Sequence, residues 1–220
     1  MRGRLIGRRG AMAGGLGLLA VRPAAAALPV PPQCALAFRL VRLGSVIGEH
    51  HLSFSLDGDE TTVSIAVDAQ VSLFGIPLVR YRHRAVERWK GGRLAGLSAE
   101  TTKNGEKEWA KAGRDDGALI VEGSQTARYV APGGAIGTSY WNQRMLEGPM
   151  ISLEDGVLLR PKVALHRDET IRLASGAPLI ADHYALSGAF AVDVWYDTSR
   201  TWAGLAFSVA DGSTVHYERL

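Results

Sequence analysis

Apolar and polar residues alternate along most of the chain. From Thr62 to Leu73, Val63, Ile65, Val67, Ala69, Val71 and Leu73 interleave with Thr62, Ser64, Ala66, Asp68, Gln70 and Ser72. Period two marks a strand with one buried and one solvated face. The same pattern predicts strands over about 35–43, 45–56, 78–90, 93–103, 106–112, 118–122, 157–166, 169–174, 178–187, 189–196, 201–210 and 213–220. Asp57-Gly58, Gly91-Gly92, Asn104-Gly105, Asp116-Gly117, Asp155-Gly156 and Asp211-Gly212 separate runs of this kind, and such pairs supply the positive φ angles of tight hairpins. Strands at this spacing, with no helices between them, predict a mainly β fold: a curved antiparallel sheet forming a half-barrel or open barrel. Residues 123–149 break the pattern. They read as a loop with one short helical lid segment, capped by Thr138 or Ser139, with Tyr140, Trp141 and Asn142 in its first turn and Gly148-Pro149 at its end. A loop this long in a compact domain is more often a binding element than filler.

Three regions follow. Residues 1–27 read as a cleaved export signal: Arg2, Arg4, Arg8 and Arg9 precede a mild apolar stretch over 10–21, and four alanines close the segment at Ala27. The Arg8-Arg9 pair resembles a twin-arginine signal. The apolar stretch is shorter than the ~20 residues that cross a bilayer, so no transmembrane span is expected. Residues 28–34 are Pro-rich, and 35–220 form a single antiparallel β domain. The expected compartment is the periplasm.

Composition narrows the function. With 46% hydrophobic and 21% charged residues among 220, the chain is not intrinsically disordered. Its net charge of +3 comes from 25 basic and 22 acidic residues. Removing the five arginines of residues 1–27 leaves 20 against 22, a body at −2, which gives no footing for a nucleic-acid partner. A single cysteine, Cys34, excludes a disulfide framework and a Cys-based zinc cluster.

Side-chain direction then places the polar residues. His50 shares a face with Val46, Leu52, Phe54 and Leu56 and is expected inside; His51 is expected outside. Over 78–90, Val79, Tyr81, His83, Ala85, Glu87 and Trp89 form one face, and Arg80, Arg82, Arg84 and Arg88 the other. The arginine row reads as a solvated face that also discourages edge-to-edge pairing. Together His50, Tyr81, His83, Glu87 and Trp89, with Tyr140, Trp141 and Asn142 from the lid, are the candidate ligand-binding set. The plainer reading is a core whose polar atoms find partners. His83 and Glu87 lie about 13 Å apart along the strand, beyond direct contact. No H-E-x-x-H, C-x-x-C, G-x-S-x-G, S-x-x-K or P-loop is present, so no metal or other cofactor is expected.

Several landmarks resemble a family of exported proteobacterial proteins with a domain of unknown function: Gly48 with His50, Tyr81-x-His83-x-x-x-Glu87-x-Trp89, Asn104-Gly105, the Thr138-Ser139-Tyr140-Trp141-Asn142 string, Trp195-Tyr196-Asp197 and Asp211-Gly212-Ser213. The resemblance covers roughly 35–220 and implies no particular activity. Its layout is similar to that of periplasmic lipoprotein carriers, whose curved sheet wraps a helical lid. The first expectation is therefore a periplasmic protein that binds a lipid or other apolar small molecule in the concave face. The second is a cofactor-free enzyme with His83 or Glu87 as general base. The third is an envelope structural or interaction protein, with another envelope protein as partner.

Overall fold

The computed structural model describes residues 27–220 apart from 74–75; the expected export signal lies, but for its last residue, outside the described residues. The strands are β1 (Ala35–Arg42), β2 (Ser45–Asp57), β3 (Glu60–Leu73), β4 (Ile76–Lys90), β5 (Arg93–Lys103), β6 (Glu106–Asp115), β7 (Ala118–Gly123), β8 (Thr126–Val130), β9 (Ile136–Gly137), β10 (Met150–Ile151), β11 (Leu158–Leu159), β12 (Lys162–Arg172), β13 (Pro178–Ser187), β14 (Val192–Asp197), β15 (Trp202–Ser208) and β16 (Thr214–Arg219). Thirteen of them form one open antiparallel sheet, ordered β12-β13-β14-β15-β16-β1-β2-β3-β4-β5-β6-β7-β8. The last strand docks on the first, Phe38 opposite Arg219 and Leu40 opposite Tyr217. Every other neighbour pair in this sheet is consecutive along the chain, as the Gly-containing hairpins predict.

The chain between the two edge strands, β8 and β12, folds inward. It carries the small sheet β11-β10-β9 and a 3-10 helix at Gln143–Glu147. Ala135, Ile136, Trp141, Met145, Met150, Ile151 and Leu153 of this segment are buried in the same apolar cluster as Leu36, Phe38, Leu52, Ile65 and Leu205 of the large sheet. The segment is thus a plug that fills much of the concave face. Its seating is close: a Cβ at Gly123, which ends β7, would lie 1.9 Å from the Asp155 carbonyl oxygen.

Five details of the sequence reading are corrected. The helix does not begin at Thr138 or Ser139. Tyr140 has a positive φ of 62°, and Asn142 caps the 3-10 turn by accepting a hydrogen bond from the Arg144 amide. Val46 and Leu56 are exposed, because an irregularity opposite Leu40/Val41 shifts the register and brings Ile47 inward instead, while Leu56 lies next to the hairpin end. The runs expected at 157–166 and 169–174 are mostly one strand, β12, bulged between His166 and Glu169; an extra residue leaves the pairing and flips the faces. Residues 126–130 form β8 rather than loop. The arginine row lies on β4, an interior strand, so it guards no edge; Arg82 and Arg84 instead reach Asp68 on the neighbouring strand.

Candidate functional site

The interior of the large sheet is ordered in rows set by cross-strand register. One row runs Leu36, Leu52, Ile65, Ala85, Ala99, and is wholly apolar. The next runs Phe38, His50, Val67, His83, Thr101. The row beyond that runs Leu40, Gly48, Ala69, Tyr81. The large apolar cluster lies on one side of the histidine row. A smaller one, built on Leu40, Val67 and Val215, lies on the other. The two histidines therefore form a polar layer between apolar ones.

His50 is 5% exposed, and neither ring nitrogen has a hydrogen-bond partner. Its ring is boxed by Trp202 at 5.1 Å, Tyr217 at 5.6 Å and Phe38 at 6.2 Å. Burial, then the nearby His83 and His51, push its pKa down to about 3, so the imidazole is neutral. The Nδ1 atom of His83 lies 2.8 Å from the Thr101 hydroxyl. Burial, with a smaller push from Arg84, takes His83 down to about 4. Tyr81 stacks on His83, with ring centroids 6.5 Å apart, and donates to Glu154 of the plug at 2.7 Å. Burial and Glu154 raise the Tyr81 hydroxyl far above its usual range.

Glu87 sits in a different row, opposite Val63 and Leu97, and is fully buried. Its Oε2 accepts from the indoles of Trp89 at 3.0 Å and Trp141 at 2.9 Å, while Oε1 is unpartnered. Burial raises its pKa; the Trp141, Ser139 and Trp89 side chains oppose that without cancelling it. This carboxyl ties plug to sheet. Trp141 also packs edge-on against Phe54 at 5.2 Å and Trp89 at 5.5 Å. Asn142 is buried, with its Nδ2 unpartnered. Tyr140 accepts, at its carbonyl, the Tyr196 hydroxyl at 2.7 Å.

The eight residues picked from sequence thus divide in two. His50, His83 and Tyr81 form the polar layer, and Tyr140, which lies 5.6 Å from Trp202, borders it. Glu87, Trp89 and Trp141 form the tie, with Asn142 next to it. Sequence reasoning missed Thr101, Trp202, Tyr217 and Glu154. Thr101 faces His83 across β4–β5, and only the register shows that. It also missed an outer-face cluster. His183 contacts Glu169 at 2.9 Å and Asp193 at 2.8 Å and stacks on Trp195 at 4.6 Å. The β12 bulge is what brings Glu169 there.

Chemically, the layer can hydrogen-bond a neutral group, since a neutral imidazole offers one donor and one acceptor. General-base work suits it poorly. A histidine held down to about 4 has little driving force to take a proton at neutral pH. Among the described residues no group of three or more His, Cys, Asp or Glu is placed to hold a metal ion, and no helix is long and apolar enough to cross a membrane.

Two open grooves accompany this interior. One, of about 620 Å³, crosses the outer face of β1–β5 over Ala37, Ser53, Ser64, Ala66 and Ser98. The other, of about 1140 Å³, lies at the end of the sheet where Ile47, Ala69, Leu78 and Tyr81 meet Arg80 and Arg82.

The family assignment rests on nearly the whole β domain. The chain belongs to the DUF6134 family, a domain of unknown function, whose match covers residues 38–220. All eight candidate residues and both grooves' principal walls fall inside the DUF6134 match. No curated protein and no solved structure matches the chain.

Proposed function

We propose that this DUF6134 chain is an exported, periplasmic binding protein that holds a lipid-like molecule, with an apolar body and a small polar head, on the inner side of its sheet. The observation that carries this reading is the set of buried, unpartnered polar atoms inside the sheet and its plug: both nitrogens of His50, Nδ2 of Asn142 and Oε1 of Glu87. A buried polar group without a partner costs about 1–3 kcal/mol. A core serving stability alone would hold apolar residues at these positions, so a ligand that completes the hydrogen bonds explains their presence. The open-sheet layout, with a plug carrying Trp141 on the inner face, supports the same reading by analogy with periplasmic lipoprotein carriers. Because the plug fills much of that face, the ligand's apolar body must displace part of the segment around Trp141 and Met145 or lie beside it. The Arg8-Arg9 pair supports export by the twin-arginine route; replacing both by lysine is expected to stop periplasmic accumulation if that route is used.

The test is lipid extraction and native mass spectrometry of the protein purified from its own periplasm, joined to hydrogen exchange over residues 131–148. A co-purifying apolar molecule that protects this segment supports the reading. Protein that carries nothing, with exchange indifferent to every amphiphile added, moves the assignment to an envelope interaction protein. That second reading is favoured by one observation, the filling of the concave face by the chain's own plug.

A further inference from the structure

The β3–β4 hairpin overhangs its neighbours at one end of the sheet. Leu40, Gly48, Ala69, Tyr81 and Lys103 form a row across β1–β5. β2 pairs with β3 only as far as Gly48–Ala69, and β5 with β4 only as far as Tyr81–Lys103. Past that row β3 and β4 pair with each other alone, through Val71–Val79 and Ser72–Pro77 to Leu73–Ile76. From Val71 to Val79 the sequence carries no charge. The β1–β2 hairpin ends nearby: counted along their strands, Leu43 and Leu78 each stand three residues beyond the row, up to about 10 Å. Both are open to water, Leu43 79% exposed and Leu78 56%, as is Val46 at 60% beside Leu43 on the same hairpin. A two-stranded ribbon is at best marginally stable alone in water, and apolar side chains gathered at one end of a molecule mark a contact surface. An added strand suits this ribbon poorly, because a bulge between Val71 and Ser72 interrupts β3 and Pro77 lacks a donor on β4; both devices blunt a strand edge.

Charge says what covers it. Arg80 stands one residue beyond the row and Lys103 within it; both are exposed, and among the described residues neither is in an ion pair. The acids of this end are mostly engaged: Asp68 by Arg82 and Arg84, Asp211 by Arg42, and Glu154 by the Tyr81 hydroxyl. Glu106, opposite Lys103, is matched by Lys107 beside it. Apolar tips above unengaged cations match the layers of an anionic bilayer surface, where apolar side chains reach about 5–10 Å into the boundary of headgroups and acyl chains and cations stay among the phosphates. We infer that this end of the sheet is a peripheral membrane-docking surface: Leu43, Val46 and Leu78 enter the acyl boundary of an anionic phospholipid bilayer, and Arg80 and Lys103 meet its phosphates. The contact is interfacial, since the free edges of the ribbon would lack partners in the hydrocarbon core. The inference goes beyond the binding function proposed above and does not need it, because no ligand inside the sheet takes part.

The experiment uses the mature protein, without the arginines of residues 1–27, in co-sedimentation with two kinds of vesicle: phosphatidylglycerol and phosphatidylcholine in equal parts, and phosphatidylcholine alone. Wild type is expected to bind the anionic vesicles about tenfold more tightly than the neutral ones. Leu43→Ser combined with Leu78→Ser changes only exposed side chains, so the urea midpoint should stay at the wild-type value, while affinity for the anionic vesicles falls about tenfold or more. Val46→Ser alone, with a smaller loss, covers the case in which the double variant does not fold. Arg80→Gln is expected to cost about fivefold on the anionic vesicles and nothing on the neutral ones. Hydrogen exchange on the anionic vesicles should slow over 41–47 and 76–80. Serine variants that bind as wild type does, equal binding to both kinds of vesicle, or binding to neither overturns the inference. So does a dimer in solution that the serine variants abolish, which would make a second copy the cover of these tips. Protection confined to 131–148 reports uptake of lipid into the sheet: it supports the binding function and overturns the docking surface.

Discussion

Replacing Glu87 by glutamine distinguishes a neutral tie from a charged one. In the folded protein the carboxyl is fully buried and accepts two indole N–H groups on Oε2. Burial favours the protonated acid, and the indoles of Trp141 and Trp89 with the Ser139 side chain favour the anion; the balance leaves the pKa raised from 4.5. A protonated acid offers one carbonyl-like oxygen to the indoles and one donor on the other side. The glutamine amide reproduces that pattern, so near pH 4 the variant is expected to lie within about 1 kcal/mol of wild type. The sign of the pH dependence follows from linkage. A raised folded-state pKa gives stability that is complete below pH 4.5 and is lost as pH rises through the folded value. Over that window wild type loses up to ~1.36 kcal/mol per pH unit, whereas the glutamine variant does not share this loss. Urea midpoints from pH 4 to 8, at constant slope, measure the difference. The variant should gain on wild type as pH rises. A variant that falls steadily behind would mean the two indoles hold an anion, and the argument from burial would be wrong.

Four further outcomes are expected. Trp141→Phe removes one of the two indole bonds and leaves a smaller ring in a fully buried site, and should lower stability by about 1–3 kcal/mol or more in urea unfolding; a change under ~0.5 kcal/mol would mean the tie is slack. Gly123→Ala drives a Cβ to 1.9 Å from the Asp155 carbonyl, so β7 or the plug must shift; a loss of about 1–3 kcal/mol or more is expected, and faster exchange at Asp155–Val157 would locate the shift. His183 is lowered by burial but raised more by Asp193 and Glu169, for a net rise. Its ion pairs therefore stabilise below pH 6.5 and fade as pH rises through the folded value, and Asp193→Asn should cost under ~1 kcal/mol at pH 5.5, since the carboxylates are part-exposed, and nothing detectable at pH 9. His50 and His83, lowered to about 3 and about 4, act in the opposite sense: stability present above pH 6.5 is lost as pH falls, and His50→Phe should flatten this acid limb in thermal scans between pH 6.5 and 4.

Much of this was legible in sequence because a strand's period is two and its hairpins advertise themselves with glycine. The inward direction of His50, His83 and Glu87 followed from parity alone, and all three are buried. Parity fails wherever one residue leaves the ladder. The irregularity beside Ile47 reversed Val46, and the bulge after His166 merged two expected strands and placed Glu169 beside His183. Gly48 flanks the first site, but no glycine announces the second. The plug was legible only as a break in period. Which of its side chains would fill the sheet, and that Tyr140 would adopt a left-handed backbone so that Asn142 becomes the cap, depend on contacts with distant strands.

The distribution of polar groups inside the sheet argues that two different demands shaped it. At the Glu87 row the polar atoms are largely used within the chain: one oxygen takes both indoles, and the result pins the plug. At His50 they are not used. The ring is enclosed by three aromatics, yet both nitrogens lack partners. Phenylalanine would fill nearly the same space among Phe38, Trp202 and Tyr217 without that cost, and apolar replacements of unpartnered polar groups are commonly neutral or stabilising. Gly48, in the row beside this layer, lies so close to β3 that a Cβ would meet the Asp68 carbonyl oxygen at 2.2 Å. Close strand packing accounts for the glycine; it does not account for the unpartnered imidazole, for which the binding function proposed above supplies a partner.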